Sequence, residues 1–134
     1  MKNTEPHSEI GERGNYLGLS LIRAPKENHN SIEQIGKSIV EWFKKHGARP
    51  EIYHLSTSVF PQGIESITKT LSIKDEKKEE VWVLLQFYRD QAHADEVNAK
   101  LMQDESIGAI MKEFGGLISQ GSNLIMGGFS RLRV

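Results

Sequence analysis

Two stretches in which apolar residues recur at every second position, each followed by a helical pattern, constrain the fold of this chain most. The first runs from Tyr16 to Ile22 and the second from Val81 to Tyr88. In both, the two sides of the predicted strand carry apolar residues, as expected of central strands that are covered on both faces. The pattern therefore predicts two strand–helix units whose strands lie side by side inside one sheet.

Helix signals follow each of these strands. Ser31 and Gln34 fit a capping box at the start of a first helix, and Gly47 supplies a left-handed residue where that helix ends. Asp90 can cap a second helix that runs to about Gln103. Both helices are amphipathic, which predicts that each packs one side against the sheet.

The rest of the chain supplies shorter elements. In order, they are predicted as a strand at 49–56, a bend at 60–63, renewed strand pairing at 66–73, a charged hairpin tip at 74–80, a short helix at 107–114 and a last strand at 123–132. The whole order is that of an α+β, ferredoxin-like split βαβ fold. We expect an antiparallel sheet with the first and third strands in its centre and the helices on one face.

The two faces of this sheet differ, and only one can be covered by the helices. We expect the helices to cover the aliphatic side, which is formed by Leu17, Leu19, Leu21, Val83 and Leu85. The bare side would then carry Tyr16, Ile22, Trp82, Leu84 and Met126. A face this apolar is unlike a solvent-exposed surface. The sequence therefore predicts a homodimer, in which two sheets meet and close a dimeric α/β barrel.

A candidate ligand cavity follows from the same assignment of faces. Polar and aromatic side chains share the side predicted to face the barrel interior, with a histidine on the neighbouring strand: Tyr16, Ser20, Trp82, Gln86, Tyr88 and His54. A few polar groups within an apolar cavity are the usual composition of a small-molecule site. The alternative is that these side chains fill the interior themselves.

Composition excludes several classes of function. The 134 residues carry a net charge of −1, whereas nucleic-acid-binding proteins usually present a basic face. The chain has no cysteine, which excludes disulfides, thiolate nucleophiles and zinc–thiolate sites. Residues 1–15 are polar and lack the apolar segment of a signal peptide. We expect a disordered tail at 1–15, a single domain at 16–134, no membrane association and a cytoplasmic location.

Motifs that hold metals or cofactors are missing at short range. The five histidines form no HxH or HxxxH pair, and the chain has no P-loop, nucleophile elbow or dinucleotide-binding glycine motif. The sequence therefore predicts no metal and no cofactor.

Several segments together resemble the YbaA-like family of uncharacterised proteins. The similar segments are Tyr16–Pro25, Pro61-Gln62-Gly63, Glu80-Val81, Asn98–Asp104 and Met126–Phe129. The resemblance covers about residues 16–132 and implies a dimeric α/β-barrel fold. It identifies no catalytic residue in this chain.

Three classes of function remain open from the sequence. The first is a dimeric protein that binds a small apolar or aromatic molecule in the barrel, or has a purely structural role. The second is a small cofactor-independent enzyme, similar to monooxygenases of this fold, that acts on a hydrophobic organic substrate. The third, less favoured, is an RNA-binding sheet, which requires exposed aromatic residues on the central strands together with basic surroundings.

Overall fold

The computed structural model describes residues 14–119 and 124–133. The elements in chain order are β1 (Tyr16–Pro25), a 3-10 helix (Lys26–Asn28), α1 (His29–Lys45), β2 (Arg49–His54), α2 (Ile67–Thr70), β3 (Glu79–Tyr88), α3 (Gln91–Gln103), α4 (Glu105–Gly115) and β4 (Ile125–Ser130).

The four strands form one sheet in the order β2-β3-β1-β4, and every neighbouring pair is antiparallel. The two long alternating segments, β1 and β3, are the central strands and pair along ten residues each. This order confirms the predicted α+β, ferredoxin-like split βαβ architecture. The fold brings the end of β2 beside the start of β3, because these strands run in opposite directions.

Helix α1 begins earlier than predicted. It starts at His29, directly after the 3-10 helix, so Ser31 and Gln34 lie inside the helix and do not form a capping box. The 3-10 helix at Lys26–Asn28 leads directly into α1. Position 31 is therefore already helical and does not adopt the extended conformation of a cap residue. The predicted end is confirmed, because Gly47 has a φ of 85° just after the helix.

The side-chain cap at Asp90 agrees with the prediction, and Asp104 caps α4 in the same way. The Asp90 side chain accepts a hydrogen bond from the backbone N–H of His93, and Asp104 does the same for Ser106. Each carboxylate satisfies one of the free N–H groups at a helix start and lies at the positive end of the helix dipole.

The segment 66–73 contains a short helix, α2 (Ile67–Thr70), and the prediction of a strand there is wrong. The Ser66 hydroxyl accepts a hydrogen bond from the backbone N–H of Thr68 and begins the helix. Ser72 then takes a φ of 57°, which ends it. The Arg23 guanidinium donates hydrogen bonds to the carbonyls of Leu71 and Ser72, at 3.0 and 3.2 Å. The Ser66 cap and the hydrogen bonds from Arg23 therefore stabilise a helix here, although the alternation of apolar and polar residues favoured a strand.

The helices cover the opposite face of the sheet from the one predicted. The core between helices and sheet contains Ile22, Ala24, Trp82 and Tyr88, with Tyr16, Ile52 and Leu84 packed against it. The aliphatic side carries Leu17, Leu19, Leu21, Val83, Leu85 and Phe87, and it faces away from α1, α3 and α4.

The physical reason for the reversal is that both sides of β1 and β3 are apolar, so alternation alone cannot decide which is covered. Residues near the helix starts pack against the rings of Trp82 and Tyr88, and this contact favours the side that carries them. The His29 ring lies 5.0 Å from that of Trp82, and the His93 ring lies 5.5 Å from that of Tyr88.

The predicted tail, residues 1–15, lies outside the described residues apart from Gly14 and Asn15. Asn15 extends the sheet beyond the predicted boundary: its backbone N–H donates to Arg89 at 3.0 Å, and its carbonyl accepts from Arg131 at 2.9 Å. Within residues 14–119 and 124–133, no helix is long and apolar enough to cross a membrane.

Candidate functional site

The six residues predicted to line one cavity occupy different environments. Tyr88 is 3% exposed, and its hydroxyl donates a 2.7 Å hydrogen bond to the side-chain carbonyl of Gln86. Burial, together with the nearby Tyr16, raises the pKa of Tyr88 to about 12. Tyr88 is therefore a protonated packing residue and cannot act as a base near neutral pH.

Tyr16 packs directly against Gly128 of the neighbouring strand β4. A Cβ atom added at Gly128 would collide with the Tyr16 hydroxyl, and the Tyr16 and Tyr88 rings lie 6.4 Å apart. Like Ser20, Tyr16 belongs to the helix-facing side of β1, so the prediction that this group points into a barrel interior is wrong. Contact of these residues with a ligand stays a prediction.

Trp82 lines a groove between α1 and the β2 edge of the sheet. The groove has a volume of about 510 Å³. Its walls and rim are formed by Ile32, Glu33, Gly36, Lys37, Val40, Glu41, Ile52 and Trp82. Gly36 lets the helix approach the sheet closely here, since a Cβ atom at this position would lie 3.1 Å from Cδ1 of Ile52. The walls are apolar and the charged side chains stand at the rim.

The end of this groove meets a cluster of ionisable residues on three elements. His29 begins α1, His54 ends β2, and Glu80 lies near the start of β3. Nδ1 of His29 lies 2.9 Å from one carboxylate oxygen of Glu80, and Nε2 of His54 lies 2.8 Å from the other. We call these three residues the His–Glu–His cluster.

The Trp82 indole joins the groove to the His–Glu–His cluster. Its ring lies 5.0 Å from that of His29 and 5.3 Å from that of His54. The indole N–H is buried and has no hydrogen-bond partner within the described part of the chain. A buried donor without a partner is energetically costly.

Glu80 is the buried member of the cluster, with a side chain only 10% exposed, whereas His29 and His54 are 36% and 41% exposed. Burial alone would raise the pKa of Glu80. The hydrogen bonds and positive charge of His29 and His54 outweigh it and hold the pKa below its ordinary value. Glu80 is therefore an ionised acceptor between two imidazoles.

A second, smaller pocket opens on the other side of His54. Its volume is about 170 Å³, and it is lined by Lys26, His54, Leu55, Thr68, Ile73, Glu76, Glu79, Glu80 and Val81. The cluster thus stands between an apolar groove on one side and a charged pocket on the other.

Sequence reasoning missed His29 and Glu80 and included His54 only as part of the cavity. The members are too far apart in the chain for a spacing motif to show them. A signal was nevertheless present in the predicted topology. In a split βαβ fold, the start of the first helix, the end of the second strand and the start of the third strand meet at one corner of the sheet.

Comparison with protein families assigns residues 15–115 to a family described as a protein of unknown function, DUF1428. The chain belongs to this family. The match spans the structure from β1 to the end of α4, including all three residues of the His–Glu–His cluster. A comparison with curated proteins finds no match.

Among solved structures, the chain is similar to a mutant of SnoaB, a cofactor-independent oxygenase from Streptomyces nogalater. The TM-score is 0.53 at 10% sequence identity, and the similarity covers 90% of this chain and 97% of the other. At this identity the comparison shows that the two proteins share a fold. The α+β, ferredoxin-like fold that the YbaA-like resemblance implied is therefore shown, whereas the dimeric barrel and the YbaA-like family itself stay predictions.

Proposed function

We propose that this DUF1428 protein binds a small apolar or aromatic molecule in the groove beside Trp82. The observation that carries the proposal is the groove itself, whose volume of about 510 Å³ lies within the range of ligand cavities. Its composition supports the same reading, because Ile32, Val40 and Ile52 offer apolar walls next to an aromatic ring.

Polar groups at the groove would orient the bound molecule. Glu33, Lys37 and Glu41 stand along the helix side of the rim. A few polar groups around an apolar cavity fix the orientation of a ligand and select between related molecules. We therefore propose a ligand with an apolar ring or chain and at least one polar substituent.

Fluorescence of Trp82 tests this proposal. A panel of apolar and aromatic metabolites is titrated into the full chain, and the tryptophan emission is followed. The variant Trp82→Phe retains Trp42 as its only tryptophan and shows whether the signal comes from the groove. A ligand that binds in the groove shifts the emission of the wild-type protein and leaves that of Trp82→Phe unchanged.

A pair of matched variants separates the groove from the helix surface. Val40 lines the groove, and Ser38 is an exposed residue of the same helix outside it. Val40→Phe fills part of the groove and is expected to weaken binding, whereas Ser38→Phe is expected to leave it unchanged. Equal affinities for the two variants, or a ligand response that persists in Trp82→Phe, would refute the groove as the site.

A second candidate function is a cofactor-independent, monooxygenase-like enzyme that acts on a hydrophobic organic substrate in the same groove. The fold shared with SnoaB supports it, as does the position of two imidazoles paired with Glu80 at the end of the groove. A histidine oriented by a carboxylate can serve as a general base. Oxygen consumption in the presence of an identified ligand tests this candidate. Turnover that is lost in His54→Asn while binding is retained would support it, and absence of turnover in the wild-type protein would refute it.

We also propose that the protein is a homodimer through the open face of its sheet, defined by Leu17, Leu19, Leu21, Val83, Leu85 and Phe87. The helices that pack on the sheet leave this face uncovered, and Phe129 of β4 continues it, 51% exposed. Contiguous apolar surface of this kind marks an interaction site. A sedimentation experiment that finds only the 15.2 kDa monomer at micromolar concentration would contradict the dimer.

The RNA-binding alternative loses its main support in the structure. It required Tyr16, Trp82 and Tyr88 on an open sheet surface, and these rings lie under the helices. The open face presents mainly aliphatic side chains in their place.

A further inference from the structure

We propose that the His–Glu–His cluster binds one divalent transition-metal ion through Nδ1 of His29, Nε2 of His54 and the carboxylate of Glu80. The potential ligand atoms of the three residues all lie within 4.8 Å of one another. Ligands at about 2.0–2.1 Å from a tetrahedral metal ion are separated from each other by about 3.4 Å. The two N···O distances of 2.9 and 2.8 Å are shorter than this, so the half-exposed histidine side chains would move slightly away from Glu80 to admit the ion.

The donor set selects the class of ion. Two imidazole nitrogens and one carboxylate suit zinc, iron(II), cobalt(II), nickel(II) and manganese(II), whereas magnesium and calcium prefer oxygen ligands alone. Three protein ligands leave further coordination positions open, which is the arrangement of reactive rather than purely structural metal sites. The adjoining pocket of about 170 Å³ has room for water at these positions.

The surroundings of the cluster favour a cation. Glu33 lies 3.5 Å from Nε2 of His29, the nitrogen that points away from Glu80. A carboxylate in this position orients a metal-binding histidine and raises its basicity. In the adjoining pocket, the positive Lys26 is outnumbered by Glu76, Glu79 and Glu80. Glu79 is partly neutralised by Arg23 at 3.7 Å, so Glu80 and Glu76 supply most of the attraction.

The competing interpretation is a hydrogen-bonded cluster in which both histidines donate a proton to Glu80 and no ion is needed. The two arrangements differ in a measurable way, because only the metal site binds a cation at one equivalent with an affinity that depends on all three residues. The fold of the protein is the same in both arrangements, so a measurement of metal binding distinguishes them.

Cobalt(II) and zinc are the probes. The full chain, purified without an affinity tag and stripped of metal with a chelator, is titrated with cobalt(II) while the visible absorption of the ion is recorded. Zinc is then added in competition. We expect saturation at one equivalent of cobalt(II), an absorption spectrum with nitrogen and oxygen ligands, and displacement by zinc.

Three variants assign the site. His54→Asn and Glu80→Gln each remove one ligand and are expected to weaken binding by at least about 10–100-fold, the loss typical even of outer-shell partners. His46→Gln is the control, because His46 lies at the other end of α1, stacked on Trp42. Because the His54 side chain is 41% exposed, His54→Asn is expected to fold even if Glu80→Gln does not.

Circular dichroism confirms that each variant is folded before its affinity is compared. Binding at one equivalent that is lost in His54→Asn and kept in His46→Gln would support the metal site. The proposal is overturned if the wild-type protein binds cobalt(II) and zinc no more tightly than His54→Asn, or if His46→Gln lowers the affinity as much as His54→Asn does.

Discussion

Adjacent leucines on β3 allow the assignment of the two sheet faces to be tested directly. Leu84 packs against the core under the helices, and Leu85 belongs to the open face. We therefore expect Leu85→Glu to separate the homodimer and leave the fold intact, and Leu84→Glu to disrupt the fold. The two substitutions are chemically identical and one residue apart. A difference between their effects therefore shows which face of the sheet each residue occupies.

The size of the effect follows from the symmetry of the proposed dimer. An uncompensated charge buried in a protein interior costs about 3–5 kcal/mol. In a two-fold interface each substitution occurs twice, which raises the cost to about 6–10 kcal/mol per dimer. Since about 1.4 kcal/mol changes an equilibrium constant tenfold, the dissociation constant should rise by more than about 10⁴-fold. Glu51 lies directly across from Leu85 on β2 and is paired with Arg49 at 3.4 Å.

Sedimentation velocity and near-ultraviolet circular dichroism measure the two outcomes. For Leu85→Glu we expect a monomer at micromolar concentration with the aromatic signal of the wild-type protein. For Leu84→Glu we expect that signal to be lost, because the new carboxylate lies under the helices, against the core that contains Trp82. A dimeric Leu85→Glu, or a folded monomeric Leu84→Glu, would show that the faces or the interface have been assigned incorrectly.

Four further substitutions test the packing of α1 and the cap and helix propensity of α4. Ile39→Ala should lower the free energy of unfolding by about 2–5 kcal/mol, since Ile39 is 2% exposed. Lys37→Ala, on the outer side of α1, should change it by less than about 0.5 kcal/mol. Equal effects in urea denaturation would mean that the buried side of α1 has been assigned incorrectly. Hydrogen bonds from Ser106 and Trp42 lower the pKa of Asp104 from 3.8 to about 2, so the stability it contributes is present above pH 3.8 and is lost as the pH falls through about 2. Melting temperatures measured across that range should therefore converge for Asp104→Asn and the wild-type protein, and a gap that stays constant would contradict this role. Gly108→Ala should raise the free energy of unfolding by about 0.5–1 kcal/mol, because glycine destabilises a helix interior relative to alanine and a Cβ atom at this exposed position meets nothing within 4 Å. A lower stability of the variant in urea denaturation would refute this prediction.

The elements with strong local signals were predictable from the sequence. The ten-residue strands β1 and β3, the cap at Asp90 and the helix end at Gly47 depend on residues close together in the chain. Their order was enough to predict the split βαβ architecture. The short helix α2 was not predicted, because the local Ser66 cap is joined by a contact with Arg23, which is 48 residues away from Leu71.

The orientation of the sheet and the candidate site depend on contacts between distant elements. Alternation showed that both faces of the central strands are apolar, and the choice between them is made by packing against the helices. The His–Glu–His cluster could not be found from spacing, since His29 and Glu80 are 51 residues apart. His54 was selected for its possible place in the cavity, and the structure shows that its partner is Glu80, which the sequence assigned to a hairpin tip.

The glycine in the middle of α1 has a consequence for the width of the groove beside Trp82. At Gly36, only a hydrogen atom separates the helix backbone from Ile52, and an added methyl group would displace one of them by a few tenths of an ångström. That contact forms part of the groove beside Trp82, whereas the long strand pairings of the sheet lie elsewhere. A single small substitution can therefore alter the width of the groove without altering the architecture that carries it. Position 36 is therefore where the selectivity of the proposed groove could be altered while the strand pairings of the sheet are kept.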